Sequence, residues 1–378
     1  MKRSLLINLS LLLGTVLFLF LCAELWFRFF NPQSENQFWF DPLIGSRVQP
    51  GKFVTITDGE VHYKRANSQG FVDREWTLEK PSGVKRIVIL GDSFTEAIQV
   101  DDDKNYKHIL EDKLRKNAEN VEVLNFAVRG QSTVQEYLTL KNYARAYKPD
   151  VIIVETFLFN DVSSNTPFLG ATKSRPFIIF RDGKEVLIPP QNPEYGFPFN
   201  ILGDHFHSYR WTVTEFFLAK SAVQKIISSN IENTTPPDRS RPTFFDIYDP
   251  EAQNKPEWKE AWDITEEMFR RIQDIAKEEQ AELLVMEAQP RYEIYQGDWK
   301  SEIQKYPGAD ATRYDLSLPR KKAKEIFQKL GILYIDLVPI FQEFAGRGEK
   351  LYMPTDGHAN VRGHEVMAQA LFDALQKE

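Results

Sequence analysis

Cysteine is nearly absent from this chain. Cys22 is the only one among 378 residues, so no internal disulfide can form, and no Cys-x-x-Cys pair is present. Because Cys22 lies in an apolar leader, it says little about redox compartment. Positive charge is also in short supply. Lys and Arg number 47 against 54 Asp and Glu, and the net charge of -7 argues against a nucleic-acid surface, which needs a basic stripe. No Gly-rich phosphate loop of the Walker type occurs. Histidines are few, and only Asp204-His205-Phe206-His207 brings two close together. That pair lacks a third convincing ligand, so no metal site is expected and the histidines read as surface or packing residues. No organic cofactor is implied either. After residue 30 no apolar run approaches the ~20 residues that a membrane span needs. The remainder, 42% hydrophobic and 27% charged, has the composition of a globular protein long enough for one large domain or two ordinary ones.

The first 30 residues are different. Lys2-Arg3 precede an apolar run from Leu5 through Cys22, which continues through Leu25, Trp26 and Phe27 to Phe30. This is long enough to span a bilayer, with Lys2-Arg3 on the inner side and Trp26 and nearby Phe residues at the interface. An uncleaved anchor is expected. A cut after Ala23 would have Leu21 three residues upstream, and a lipoprotein cut before Cys22 would follow Leu21, where small residues are wanted. A cleaved signal peptide is the alternative. In either case the rest of the chain is expected outside the cytoplasm, in the periplasm or at the cell surface.

Chemistry is concentrated at three strand ends and one late loop. Gly91-Asp92-Ser93-Phe94 follows the apolar run Arg86 to Leu90. Asn125 to Ser132, containing Gly130, follows Val121 to Leu124. Phe157-Leu158-Phe159-Asn160-Asp161 follows Val151 to Val154, and Asp356-Gly357-His358 precedes the last helical pattern. In a parallel α/β sheet the carboxyl ends of the strands share one edge, where ligands bind. A serine hydroxyl needs a base, and the base needs an orienting group. A backbone N–H and an Asn amide can serve a developing oxyanion.

These four blocks, in this order, resemble the SGNH family, also called GDSL-type esterases and lipases. The resemblance covers about residues 84 to 378. It implies Ser93 as nucleophile, His358 as base and Asp356 as its orienter. It also implies an oxyanion hole from the N–H groups of Ser93 and Gly130 and the Asn160 amide. Leu158 stands where the third block usually has Gly, and the Asp–His gap is two residues where three is common. The leader segments Asp41-Pro42-Leu43-Ile44-Gly45 and Asn67 to Asp73 resemble those of a bacterial branch of the family; we read 31–83 as leader strands and loops packed on the core.

Strand and helix patterns alternate through the rest of the chain. Two further strands are expected, at Glu282 to Met286 and at Ile332 to Leu337. Helices are expected around Tyr106 to Leu114, Val134 to Tyr147, Trp258 to Glu279, Pro319 to Leu330 and Val361 to Gln376. This predicts a three-layer α/β/α fold with a mainly parallel five-stranded sheet; the resemblance adds a flavodoxin-like strand order. Within 84–378, residues 162–256 are too long for an ordinary loop and read as an insertion. It opens with a hairpin across Asp182-Gly183. It leaves from the proposed active-site edge, so a lid or substrate wall is expected, with a peripheral subdomain or a membrane-proximal aromatic surface as the alternatives. Asp92 is expected to hold its turn. Arg129 is expected to meet either an anionic substrate group or a surface carboxylate, and His364 to be structural.

These readings converge on a membrane-anchored serine ester hydrolase. Its expected partners are the membrane and an ester substrate, such as an acylated glycan or lipid. Removal of O-acetyl groups from envelope or exported glycans is one such activity. An O-acetyltransferase using the same triad and an inactive glycan-binding scaffold are the alternatives.

Overall fold

The computed structural model describes residues 2–30, 38–117, 119–170, 172–181, 184–191, 243–306 and 310–376. By internal contacts the chain forms two units, one comprising Met1–Gln37 with Glu194–Asp238 and the other Phe38–Pro193 with Arg239–Glu378. In the first unit, helix α1 runs from Lys2 to Phe30, and Ser4–Phe27 is long and apolar enough to cross a membrane. Its side chains from Ser4 to Cys22 are exposed.

The second unit begins with two antiparallel hairpins. Strands β1 (Phe38–Asp41) and β2 (Gly45–Val48) form the first, and β3 (Gly51–Thr57) and β4 (Glu60–Ala66) the second. The central sheet follows. Its strands are β5 (Lys85–Leu90), β6 (Val121–Asn125), β7 (Val151–Thr156), β10 (Glu282–Glu287) and β11 (Leu333–Asp336). Between β7 and β10 lies the hairpin of β8 (Phe177–Arg181) and β9 (Lys184–Ile188). The register Arg181↔Lys184 matches a two-residue connection, but Asp182 and Gly183 lie outside the described residues. All central pairings are parallel, in the order β11-β10-β7-β5-β6. Counting only these strands in chain order, the arrangement is 2-1-3-4-5, the flavodoxin-like order.

Burial on both faces explains why the inner strands β5 and β7 read as near-continuous apolar runs, whereas β11, at the sheet edge, is only half-buried. Residues alternate between two cores. Val88, Leu90, Ile152, Val154 and Val285 join one core. Helices α4 (Thr133–Asn142), α6 (Pro256–Glu278) and α9 (Leu318–Leu330) cover it. Ile87, Ile89, Ile153, Leu284 and Met286 join the other. Helices α3 (Tyr106–Lys116), α10 (Leu337–Gly346) and α11 (Val361–Leu375) cover that face. Helix α9 stops at Gly331, whose φ of 66° closes it. Two boundaries differ from expectation. Leu337 opens α10 instead of closing β11, because Asp336 caps the new helix through Val338 N–H at 2.9 Å. The helix after Gly130 ends at Asn142, and a separate 3-10 turn covers Ala144–Tyr147.

Candidate active site

Strand β5 delivers the serine. Gly91 leaves the strand, Asp92 caps the short helix α2 (Ser93–Glu96), and Ser93 is its first residue. Asp92 Oδ1 accepts the Phe94 N–H at 2.9 Å, so the carboxylate holds the turn. A side chain at Gly91 would meet Glu155 Oε2 and Thr95 Oγ1 at 2.6 Å, which is why the close approach needs glycine there. Gly130, with φ of 74°, lies in the loop after β6. Asn160 lies in helix α5 (Leu158–Ser164) after β7. Leu158 itself turns into the core, away from the cleft.

The four blocks meet at this edge. His358 Nε2 lies 2.8 Å from Ser93 Oγ, and His358 Nδ1 lies 2.6 Å from Asp356 Oδ1. The two-residue gap suffices because Asp356 forms an Asx turn. Its Oδ1 also accepts the His358 backbone N–H at 2.9 Å, and the intervening Gly357 has φ of 84°. Burial works to raise the Asp356 carboxyl, but the hydrogen bond and charge of His358 hold it below its ordinary value. Gln99 Nε2 donates to Asp356 Oδ2 at 3.3 Å. The imidazole also packs against the Phe94 ring, 4.9 Å between centroids.

The donors expected to receive an oxyanion are open. Among the described residues no acceptor takes the N–H of Ser93 or Gly130. Asn160 Nδ2 points toward Asp92 Oδ2 at 3.5 Å, which engages one of its two hydrogens. Beneath lies a group of fully buried acids. Burial, and then mutual repulsion, pushes Glu136, Glu155 and Asp161 well above the ordinary carboxylate range. Burial raises Asp92 as well. Nothing in the chain's local pattern marks this group, since each acid sits singly in an apolar or helical stretch.

A cleft of about 530 Å³ opens beside His358. Phe94, Phe157, Phe159, Phe244 and Tyr292 give it aromatic walls, while Arg291, Asp298, Glu302 and Lys305 are its charged lining. Phe244, from the end of the expected insertion, therefore reaches the site. A second depression of about 360 Å³, lined by residues of α6 and α9, contains none of the four-block residues. Arg129 is paired with a carboxylate, Glu96, at 2.9 Å, but that carboxylate is buried and not on the surface as expected. His364 is buried and stacks near Tyr106, 5.9 Å between centroids. Asp204 to His207 lie outside the described residues, and among those described no group of three or more metal-binding side chains occurs.

Residues 87–195 match the family profile described as GDSL-like Lipase/Acylhydrolase. The match includes Ser93, Gly130 and Asn160 and ends before Asp356 and His358. No curated protein matches the chain significantly. Among solved structures, TesA is 10% identical, with 78% of this chain and 99% of that chain covered and a TM-score of 0.40. The acetyl xylan esterase AlAXEase is 11% identical, with 77% and 99% covered and a TM-score of 0.41. A catalytic mutant of Axe2, an acetylxylan esterase from Geobacillus stearothermophilus, is 12% identical, with 76% and 93% covered and a TM-score of 0.39. TM-scores below 0.5 leave the fold assignment to the strand order described above. The similarity to GDSL-type acylhydrolases is thus shown for residues 87–195, and the protein is a serine hydrolase of ester bonds.

Proposed function

We propose that the protein is a membrane-anchored, extracytoplasmic esterase that works through an acyl-enzyme on Ser93. The observation that carries this reading is the unbroken hydrogen-bond chain Ser93 Oγ, His358 Nε2, His358 Nδ1 and Asp356 Oδ1. As Ser93 Oγ bonds to the ester carbonyl carbon, its proton passes to His358 Nε2 and the carbonyl π pair moves onto oxygen. The N–H groups of Ser93 and Gly130 and the Asn160 amide receive that charge. Collapse expels the alcohol, which takes the proton from His358. Water, activated by the same imidazole, then releases the acyl group. Asp356 keeps the imidazole in the required tautomer and stabilises its charged form.

The aromatic cleft lies on the His358 side, where the alcohol departs. Aromatic walls with charged groups along them suit a sugar ring better than a long alkyl chain. We therefore favour O-acyl groups on envelope or exported glycans as substrates. An anchor at Lys2–Phe30, with Lys2-Arg3 inside, supports the location.

The test is a panel of p-nitrophenyl esters from acetate upward, with Ser93→Ala as control. Turnover is expected to be highest for short acyl groups and absent in the variant. Equal turnover by Ser93→Ala would overturn the mechanism. Analysis of acyl products formed from an acetylated glycan separates release to water from transfer to a second hydroxyl.

A further inference from the structure

One cation beside this site has no assigned task. Arg175 lies between α5 and β8, on the stretch that leaves the sheet edge. Its backbone is fixed. A side chain at Gly45 would lie 2.4 Å from Ser174 O and 3.4 Å from Pro176 Cδ, so the leader packs directly against this stretch. Pro176 also restricts Arg175 to extended backbone. The guanidinium reaches Gly130: its Nη2 is 3.4 Å from where a Cβ on Gly130 would sit. It makes no hydrogen bond or ion pair with any described residue. Arg129, one residue from the same glycine, is by contrast tied to Glu96.

The absence of a partner is informative because guanidinium groups in partly buried positions are normally paired. The nearest opposing carboxyls, Asp161 and Asp92, are fully buried, and burial pushes both toward the neutral acid. Asp161 Oδ2 is already occupied by Thr156 Oγ1 at 2.9 Å and by the Phe157 N–H at 2.7 Å. The cation is therefore poorly compensated where it stands, next to one of the N–H groups aimed at the carbonyl oxygen.

We propose that Arg175 is a fourth, charged component of the oxyanion site, opposing the negative charge that forms on the substrate carbonyl oxygen. The inference rests on the Ser93 mechanism above. A neutral ester offers Arg175 nothing in the ground state. When the Ser93 Oγ–carbon bond forms and the π pair moves to oxygen, a full charge appears beside Gly130. An interaction that exists only then raises kcat and leaves KM alone.

The test compares the full-length parent protein with Arg175→Met and Arg175→Lys. It measures kcat and KM on p-nitrophenyl acetate, inhibition by methylboronic acid and thermal melting. The boronate forms a tetrahedral anion on Ser93 and so reports charge stabilisation without turnover. Arg175→Met is expected to lower kcat by about 10- to 100-fold, with KM within about threefold and boronate inhibition weakened to a similar degree. Arg175→Lys, which keeps the charge, is expected to recover part of both losses. Unchanged kcat, or unchanged boronate affinity, would overturn the proposal. So would a loss confined to KM, or to p-nitrophenyl succinate, which would make Arg175 a binding residue for an anionic acyl group. If Arg175→Met does not fold, Arg175→Lys and its boronate affinity decide the matter. Ser93→Ala separates the two levels. An active Ser93→Ala removes the mechanism itself, whereas an inactive one beside a fully active Arg175→Met removes only this inference.

Discussion

Asp356→Asn removes the charge from the triad while keeping its shape. In the parent, Asp356 Oδ1 accepts from His358 Nδ1 and from the His358 backbone N–H, and Oδ2 accepts from Gln99 Nε2. The new amide has one oxygen and one NH₂ group. Keeping the oxygen toward His358 preserves the tautomer that leaves Nε2 free to accept the Ser93 proton. The NH₂ then faces Gln99, which must turn its own oxygen inward. What is lost is the attraction between a carboxylate and the imidazolium. At a charge separation of about 4 Å and an effective dielectric near 20, that attraction is about 4 kcal/mol. Both side chains are about one-quarter exposed, at 25% and 28%, so water screens part of it. About 2 kcal/mol remains, a loss in kcat/KM of about 30-fold. If the amide turned the other way, the wrong tautomer would form and the loss would approach about 10⁴-fold. Adding Gln99→Glu supplies a carboxylate to hold the NH₂ group and is expected to restore part of the activity. The assay is p-nitrophenyl acetate hydrolysis across pH. A loss below about threefold in Asp356→Asn would show that this carboxylate does not support the imidazolium.

Three further outcomes follow from the same geometry. Asn160→Ala removes the free amide hydrogen and is expected to lower kcat by about 10²–10³-fold with little change in KM; a change confined to KM would make Asn160 a substrate-binding residue. Gly91→Ala drives a methyl group into Glu155 and Thr95 and is expected to destabilise by about 1–3 kcal/mol while displacing Ser93; parent-like melting and turnover would contradict this. Burial holds His364 down at about 3, from an ordinary 6.5, so the folded protein keeps it neutral where the unfolded chain protonates it. Its contribution is present above pH 6.5 and is lost as pH falls toward 3, roughly 1.5 kcal/mol between pH 6.5 and 5. His364→Phe, compared with the parent by urea melts at those two pH values, is expected to remove that part of the slope; an unchanged slope would place the effect elsewhere.

The fold was legible because the inner strands β5 and β7 are buried on both faces and so announce themselves as apolar runs, while the half-exposed edge strand β11 keeps an apolar Leu-Tyr-Ile pattern. The turn residues Gly91, Gly130 and Gly331 mark where chain direction must change. The four blocks were legible because each sits at a strand end or a cap, where local chemistry stands out against its surroundings. What could not be read was pairing between distant segments. Gln99 looks like any loop glutamine until the fold brings it to Asp356. Arg129 could serve a substrate anion or a carboxylate equally well, and only the fold sets Glu96 beside it. The buried acids and Arg175 belong to the same class, since burial and lack of a partner are tertiary properties. The leader also takes its place only in three dimensions. Thr55 Oγ1 bonds Ile98 O and Lys64 Nζ bonds Val100 O, both at 2.7 Å, bracing the loop that carries Gln99. Asp58, at the tip of that hairpin, meets Thr355 next to Asp356.

The central claim is that Ser93 is the nucleophile. Its most direct test is covalent trapping with a fluorophosphonate, followed by mass spectrometry of the labelled peptide. The account predicts a single stoichiometric adduct on Ser93, absent from Ser93→Ala and strongly slowed in His358→Ala. An adduct on another residue, or ester hydrolysis by a parent protein that takes up no label, would contradict it.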